Sequence, residues 1–295
     1  MSPRSATPTE PERAAQPPLG RREFDRISRF VRDELGIQLP PGKHTMVEAR
    51  LRKRLRQLGL SDFRTYVDRV LDPDGDPAER QNFLDHITTN KTDLFREPDH
   101  FDHLADVALP ALLTGRHRPR LDVWCAASSS GEEPYTIAMT LMDAKRRQND
   151  FDFRVLASDI SRRVLEKAVQ AVYPAGHAEA VPAEYRSRYL LRSRDGTQIK
   201  MARSLRQRVT FGMLNLMQPP YRVPDDLDVI FCRNVLIYFD RPTQIRVVEA
   251  LVDRLRPGGY LYLGHSESAQ GAGPRVDRVG AAVYRRKRNV EGDGA

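Results

Sequence analysis

From Leu121 onward the chain alternates short apolar runs with stretches of helical periodicity, and this alternation constrains the fold more than any other feature. LDVWCA (121–126), FRVLASDI (153–160), LDVIFCRN (227–234) and GYLYLGHS (259–266) have the length and apolar continuity of strands. EEPYTIAMTLMDAKR (132–146), SRRVLEKAVQAVY (161–173) and PTQIRVVEALVDRLR (242–256) have the spacing of helices. Strands alternating with helices predict an α/β fold with a mostly parallel sheet covered by helices on both faces. Residues 185–212 break the rhythm and predict a small excursion with a hairpin at Asp195-Gly196. No internal repeat is present.

The preceding segment has a different character. Phe24, Ile27, Phe30, Val31 and Leu35 recur at helical spacing, and Gly36 with Leu39-Pro40-Pro41-Gly42 then breaks the run. In TMVEARLRKRLRQLGL (45–60), Val47, Leu51, Leu55 and Leu58 form one stripe, and Arg50, Arg52, Lys53, Arg54 and Arg56 crowd the other faces. A further helix is predicted near Asp62–Leu71. The expected organisation is a disordered tail over 1–20, an all-α domain over 21–88, a second domain over 89–287 and a flexible tail over 288–295. Within 295 residues, 40% hydrophobic and 30% charged residues suit a soluble globular chain with a substantial core. No apolar run approaches the ~20 residues of a membrane span, and the first twenty residues hold no secretory h-region. Cys125 and Cys232 sit in strand-like apolar runs and read as buried hydrophobes, so a cytoplasmic location is expected. The net charge of +8 calls for an acidic partner, which charge alone leaves open among nucleic acid, membrane and protein.

In open α/β sheets ligands bind beyond the carboxyl ends of the strands. The candidates are therefore the Ala/Ser/Gly turn after LDVWC, Asp159 after FRVLAS, Arg233 and Asn234 after DLDVIFC, and His265 and Ser266 after GYLYLG. The turn AASSSG stands where a dinucleotide loop would, without the glycines of GxGxxG, and Glu132 and Glu133 open the helix behind it. A phosphate cradle needs bare N–H groups and a positive helix end. A carboxylate about 4 Å from an anion, at an effective dielectric near 20, costs about 4 kcal/mol. The loop thus argues against NAD or ATP and for a phosphate-free, positively charged nucleoside such as S-adenosylmethionine. Glu133 also fits a capping box with Ser130, which Pro134 weakens, and Glu132 complements the helix dipole. Asp159 suits either a ribose diol or the cap of the helix near Ser161. Asn215 and Asn234 suit adenine or carboxylate recognition, or a plain turn.

Taken together, TTNKTDLFREPDHF (88–101), WCAASSSGEEPYTIAM (124–139), VLASDIS (155–161), DVIFCRNVLIYFD (228–240) and GGYLYLGHSES (258–268) resemble, in one order, the chemotaxis receptor methyltransferases of the CheR family. The resemblance runs from about residue 22 to residue 286. It implies a class I S-adenosylmethionine-dependent methyltransferase domain, Rossmann-like, with a small inserted antiparallel β subdomain at about 185–212 and an all-α domain before it. It also implies methyl-ester formation on glutamates of chemoreceptor cytoplasmic helical bundles, with S-adenosylhomocysteine as the product and no nucleic-acid partner or membrane insertion. The cofactor contacts it implies are Asn90, Thr92, Arg96, Glu133, Asp159, Asn215, Leu216, Asn234 and Val235. Tyr238 falls near the methyl group, and Arg96 and Tyr238 are the catalytic candidates. The chain departs from the common pattern at Ala127 and Ser128, which replace Gly and Cys, and at Leu94, which makes LFRE of FFRE. RYLLRSRDGTQIKMARS (188–204) is short and holds only Gly196, which argues against docking of a receptor's C-terminal pentapeptide.

A glutamate nucleophile with a pKa near ~4.3 is already ionised at neutral pH, so no general base is required, and alignment of the reacting atoms carries the catalysis. Arg50, Arg52, Lys53 and Arg56 are the expected receptor-docking residues of a monomeric enzyme. His86, His100 and His103 do not have the spacing of a zinc site, and no metal is expected; His265 is read as shaping its loop. The rival readings are a nucleic-acid methyltransferase, whose motifs are missing, a cofactor-binding module without turnover, and the same chemistry in a non-motility array.

Overall fold

The computed structural model describes residues 17–117, 119–148 and 151–288. The expected tails therefore lie outside the described residues over 1–16 and 289–295. The chain divides into two compact units, one comprising the chain up to Phe30 with Leu39–Ile87, the other Val31–Gln38 with Thr88 onward.

The first unit holds the early turns of α1 (Arg21–Leu35), then α2 (His44–Leu58), α3 (Phe63–Leu71) and α4 (Pro77–Ile87). The α2 stripe is buried as expected at Val47, Leu51 and Leu55, and the helix stops at Gly59, whose φ of 67° is left-handed. Asp62 caps α3 by accepting from the Thr65 N–H at 2.8 Å. The basic residues of α2 are not one uniform solvated face. Arg54 turns inward and pairs with buried Glu79, which also accepts from Tyr66 Oη at 2.9 Å. Arg50 donates to the Ile87 carbonyl, and Arg52 pairs with Glu48 and lies over the Phe63 ring. Lys53 and Arg56 remain exposed.

The second unit is built on a seven-stranded sheet. In chain order its strands are β1 (Arg120–Cys125), β2 (Asp152–Asp159), β6 (Val209–Met213), β7 (Leu227–Cys232), β8 (Leu255–Leu263), β9 (Val276–Gly280) and β10 (Val283–Arg286). Their spatial order is β6-β2-β1-β7-β8-β10-β9; the first five are mutually parallel, and β10 runs antiparallel to both β8 and β9. The strand period of two sorts the core. Val123, Cys125, Val155, Val229, Phe231 and Tyr262 pack with Tyr135, Ile137 and Leu141 of α7 (Glu132–Gln148). Trp124, Ile230, Cys232, Leu261 and Leu263 pack with Val247, Val248 and Leu251 of α11 (Arg241–Arg254).

A second sheet holds β3 (Val172–Pro174), β4 (Leu190–Arg192) and β5 (Gln198–Met201) in the order β3-β5-β4, all antiparallel. The hairpin falls at Asp195-Gly196, with the Asp195 carboxylate accepting from Thr197 N at 3.1 Å and Gly196 at φ 71°. The bounds of this insert differ from 185–212. It begins at Val172, because α8 (Arg162–Gln170) ends at Ala171 in a left-handed conformation and Val172-Tyr173 continue as a strand. It ends at Met201, because Val209–Met213 pairs in parallel with β2 and belongs to the main sheet. The boundary expected at 88/89 also shifts for one segment. Val31–Gln38 is bonded into the second unit: Gln38 N donates to the Tyr238 carbonyl at 2.8 Å, Ile37 bridges Phe239, and Asn215 Nδ2 donates to the Glu34 carbonyl at 2.9 Å.

Candidate active site

Between β1 and β7 the chain reverses its direction of progress across the sheet, since β2 lies on one side of β1 and β7 on the other. A crevice at such a point is where an open α/β sheet takes its ligand. The loop that leaves β1 turns through Ser129 (φ 47°) and Gly131 (φ 98°) into α7. Three of its backbone N–H groups are engaged within the fold. Ser128 N bonds the Ser158 carbonyl at 2.9 Å, Ser129 N bonds Asp159 Oδ2 at 2.9 Å, and Gly131 N bonds the Ser128 carbonyl at 3.0 Å. Pro134 has no N–H to offer in the first turn of α7.

The two glutamates behind this loop part ways. Ser130 Oγ donates to Glu132 Oε2 at 2.8 Å, and the Glu133 carboxylate that a capping box would turn back to the Ser130 N–H goes to Arg233, so the box is not made. Glu132 is buried with His177 3.7 Å away, and burial raises its pKa against the pull of Ser130. Glu133 instead points to the end of β7, where Arg233 Nη1 donates to its Oε2 at 2.7 Å and Cys125 Sγ lies 3.3 Å from its Oε1.

Arg233 organises the site. Its side chain is 0% exposed, lies over the Phe101 ring, and through Nη2 reaches Glu97 Oε2 at 2.9 Å and the Arg96 carbonyl at 2.6 Å. Burial alone would lower its pKa, but the charges of Glu133 and Glu97 outweigh burial and it stays a cation. The two carboxylates respond oppositely. Glu97 falls below its ordinary value because Arg233 and the Asn234 amide, 3.2 Å away, overcome its burial. Glu133 rises, because burial outweighs what Arg233 returns. Asn234 adopts φ 57°, which aims its N–H at Glu267 Oε2 at 2.9 Å. Buried Glu267 also accepts from Gly264 N at 2.6 Å and Ile237 N at 3.3 Å, so it clamps the ends of β7 and β8 together. A Cβ on Gly264 would stand 2.6 Å from Asn234 Nδ2, which leaves room only for glycine.

The fold and this constellation correspond to known proteins. The chain matches the CheR methyltransferase, SAM binding domain over residues 90–284 and the CheR methyltransferase, all-alpha domain over residues 22–88. The chain belongs to the CheR methyltransferase family. It is 42% identical to chemotaxis protein methyltransferase 2 of Pseudomonas aeruginosa over 268 residues, covering 90% of this chain and 92% of the relative. It is 40% identical to the chemotaxis protein methyltransferase of Escherichia coli over 263 residues, 88% of this chain and 89% of the relative. A probable biofilm formation methyltransferase, WspC, of Pseudomonas aeruginosa is 35% identical over 249 residues, 83% of this chain and 57% of the relative. The larger unit accordingly has the class I S-adenosylmethionine-dependent methyltransferase fold, with its small antiparallel insert and the all-α CheR domain before it. Among the described residues no helix is long and apolar enough to cross a membrane.

Several expected contacts of the CheR site are brought together. Arg96, Glu133 and Asn234 meet around Arg233 and Glu97, and Arg96 Nη1 also donates to the Lys91 carbonyl at 3.1 Å. Phe95 and Glu97, on either side of Arg96, both hold positive φ, at 53° and 56°, a conformation that non-glycine residues adopt at a cost. Asn90 and Asp159 are joined through Ser129, whose Oγ donates to the Asn90 carbonyl at 2.9 Å and whose N–H reaches Asp159. Asp159 Oδ1 also accepts from Ser161 N at 2.9 Å, and because Ser161 itself holds the N-cap position of α8, Asp159 braces the turn before the helix rather than capping it. Thr92, Val235 and Tyr238 are half-buried.

Asn215 departs from its expected part. Its Nδ2 donates to the Glu34 carbonyl and its Oδ1 accepts from Met217 N, so its side chain serves the turn reading. Leu216 is buried, and its carbonyl accepts from Tyr221 Oη at 3.0 Å. The sequence marks Arg233 only as a strand-end candidate without a role, and Glu97 and Glu267 are absent from the sequence-derived candidates. A usable signal was present for Arg233: a charge placed directly after six buried strand residues has to find a partner. Of the histidines considered for a metal, His86 contacts the Asn82 carbonyl and His103 the Tyr262 hydroxyl, whereas His100 lies beside Glu97 and His265.

The donor chemistry of the CheR loop fits S-adenosylmethionine. The Glu133 and Asp159 carboxylates flank the loop, and the N–H groups of Ser128, Ser129 and Gly131 are engaged within the fold rather than open to a phosphate.

Proposed function

We propose that this CheR protein is a protein-glutamate O-methyltransferase that forms methyl esters on glutamates of chemoreceptors and so sets receptor adaptation. The reading rests on one observation: a buried Glu133 carboxylate behind a loop whose Ser128, Ser129 and Gly131 N–H groups are engaged within the fold favours a cationic, phosphate-free nucleoside over a nucleotide. Glu133 takes the α-ammonium end of the cofactor, Asp159 the ribose, Leu216 with the backbone of Asn215 the adenine edge, and Asn90, Thr92, Asn234 and Val235 complete the cleft. When bound, S-adenosylmethionine supplies an electrophilic methyl group on a sulfonium. The chain supplies alignment, which at near-attack separation is worth about 7–11 kcal/mol of barrier. Arg96 steers a carboxylate by bidentate contact, and Tyr238 orients the acceptor. The acceptor glutamate arrives ionised and needs no base. Arg50 and Arg52 are engaged within the all-α unit, so Lys53 and Arg56 carry most of the attraction to an acidic helical bundle in the cytoplasm.

The test is transfer of labelled methyl from S-adenosylmethionine to receptor-containing membranes, followed by base treatment. Release of the label as methanol is expected. Base-stable label, or none on receptors from the same cells, overturns the reading. The likeness to WspC favours, as a second reading, the same ester chemistry in an array that controls an output other than motility.

A further inference from the structure

In the cluster beside Arg233 one buried nitrogen has nothing to bind. His100 opens toward the interior from α5 (Asp99–His103), with its side chain 1% exposed. Its Nε2 lies 2.9 Å from the Ala281 carbonyl, which can only accept, so Nε2 carries the proton and Nδ1 is a bare lone pair. Nδ1 has no hydrogen-bond partner among the described residues. What it faces is a second acceptor, Glu97 Oε2 at 3.7 Å, which is too long for a shared proton to close as a hydrogen bond. His265 approaches the same oxygen with Nε2 at 3.9 Å, and the three potential ligand atoms lie within 4.8 Å of one another. One bare lone pair, a second imidazole nitrogen and a carboxylate oxygen converge there, and Arg233 reaches only the carboxylate, at 2.9 Å.

We propose that Glu97, His100 and His265 bind a divalent first-row transition ion of the Zn²⁺, Co²⁺ or Ni²⁺ class. Two imidazoles with one carboxylate suit these ions rather than Mg²⁺ or Ca²⁺. Bonds of about 2.0–2.2 Å place tetrahedral ligands about 3.3–3.6 Å apart, so the separations of 3.7 and 3.9 Å close by up to about 0.6 Å, and exposed His265 turns to bring the third, within 4.8 Å, to the same length. The outer contacts are in place: the Ala281 carbonyl orients His100, and Arg233 and Asn234 hold Glu97. His265 is 45% exposed and gives the ion a route from solvent. In the ion's absence its Nε2 bonds Asp99 Oδ2 at 3.0 Å; with the proton moved to Nδ1, Nε2 becomes a ligand and Asp99 offers a fourth oxygen. The site stands whether or not the methyl-transfer reading holds, and it shares Glu97 with the Arg233 network.

The full chain, free of any polyhistidine tag and stripped with chelator, is titrated with Zn²⁺ by calorimetry and with Co²⁺ by visible absorption. One equivalent with micromolar or tighter affinity and the d–d bands of low-symmetry tetrahedral cobalt are expected. Exposed His265 can be replaced without touching the core, so His265→Ala serves as the folded variant; it should weaken binding about 10–100-fold or more. His117→Ala, at another exposed histidine, should leave it unchanged. Glu97→Gln should also lose the cobalt bands. Weaker than micromolar binding to the parent protein, or undiminished binding to His265→Ala, overturns the proposal.

Discussion

Replacing Arg233 with methionine keeps much of the side chain's volume and removes a cation that holds two buried carboxylates. The bonds lost are those to Glu97 at 2.9 Å, Glu133 at 2.7 Å and the Arg96 carbonyl at 2.6 Å. Stranding one member of a buried ion pair costs about 3–5 kcal/mol. Glu133→Gln alone removes one charged acceptor and leaves Arg233 with Glu97, at a cost of about 1.5–3 kcal/mol. In the double variant Arg233 is gone but one stranded charge has gone with it, so the double should cost about 1.5–3 kcal/mol less than the two singles added. The assay is equilibrium unfolding in urea. Trp124 is the chain's single tryptophan, is 0% exposed on β1, and reports only on the unit that contains Arg233. With a slope of roughly 2–3 kcal/mol per molar urea, Arg233→Met should lower the midpoint by about 1–2 M. The double variant should recover a measurable part of that drop. Additivity of the two singles within about 0.5 kcal/mol would mean that Arg233 and Glu133 do not act as a unit, and the assignment of Arg233 as organiser would fail.

Other expectations follow from the same structure. Glu133→Gln should bind S-adenosylhomocysteine about 10–100-fold more weakly by calorimetry, since a charged hydrogen bond is worth about 1.5–3 kcal/mol; unchanged affinity removes Glu133 from the cofactor's ammonium. The pKa of Glu133 is raised by burial. Cofactor affinity should therefore be flat above that pKa and fall by up to about tenfold per pH unit below it, as protonation removes the carboxylate, while Glu133→Gln shows no such slope. In the all-α unit, Arg54 and Tyr66 overcome the burial of Glu79 and hold its pKa below the ordinary value. A depressed carboxylate contributes stability that is present above its unfolded pKa of about 4.3 and is lost as pH falls through the folded pKa. Arg54→Met should remove up to about 3 kcal/mol, seen as lost hydrogen-exchange protection in α3 and α4 at neutral pH; unaltered protection would show the pair to be idle. Reversing both Lys53 and Arg56 to glutamate should raise the apparent KM for receptor, more so at low salt, and leave cofactor affinity unchanged; an unchanged KM excludes this face.

Which parts of this molecule could be read from its sequence depends on how local their causes are. β1, β2, β7 and β8 are internal strands, and an apolar run is a direct consequence of burial on both faces. β6 and β9 are the two edges of the sheet, with most of their residues at least partly exposed, and β3 has only three residues. Their composition is therefore that of loops, and pairing alone makes them strands. The acid-lined loop was legible because its meaning is a sign of charge at a strand end, which survives small errors of register. The role of Arg233 was not, because its partners Glu133 and Glu97 lie 100 and 136 positions away in the chain. A buried charge is decided by what stands opposite it, and spacing does not encode that. The same reasoning explains Ser130, for which a local rule named Glu133 as the partner. Helix capping is worth about 1 kcal/mol, whereas a buried guanidinium left without its acceptor costs about 3–5 kcal/mol. Where the two compete for one carboxylate the ion pair wins, and Ser130 settles on Glu132 instead.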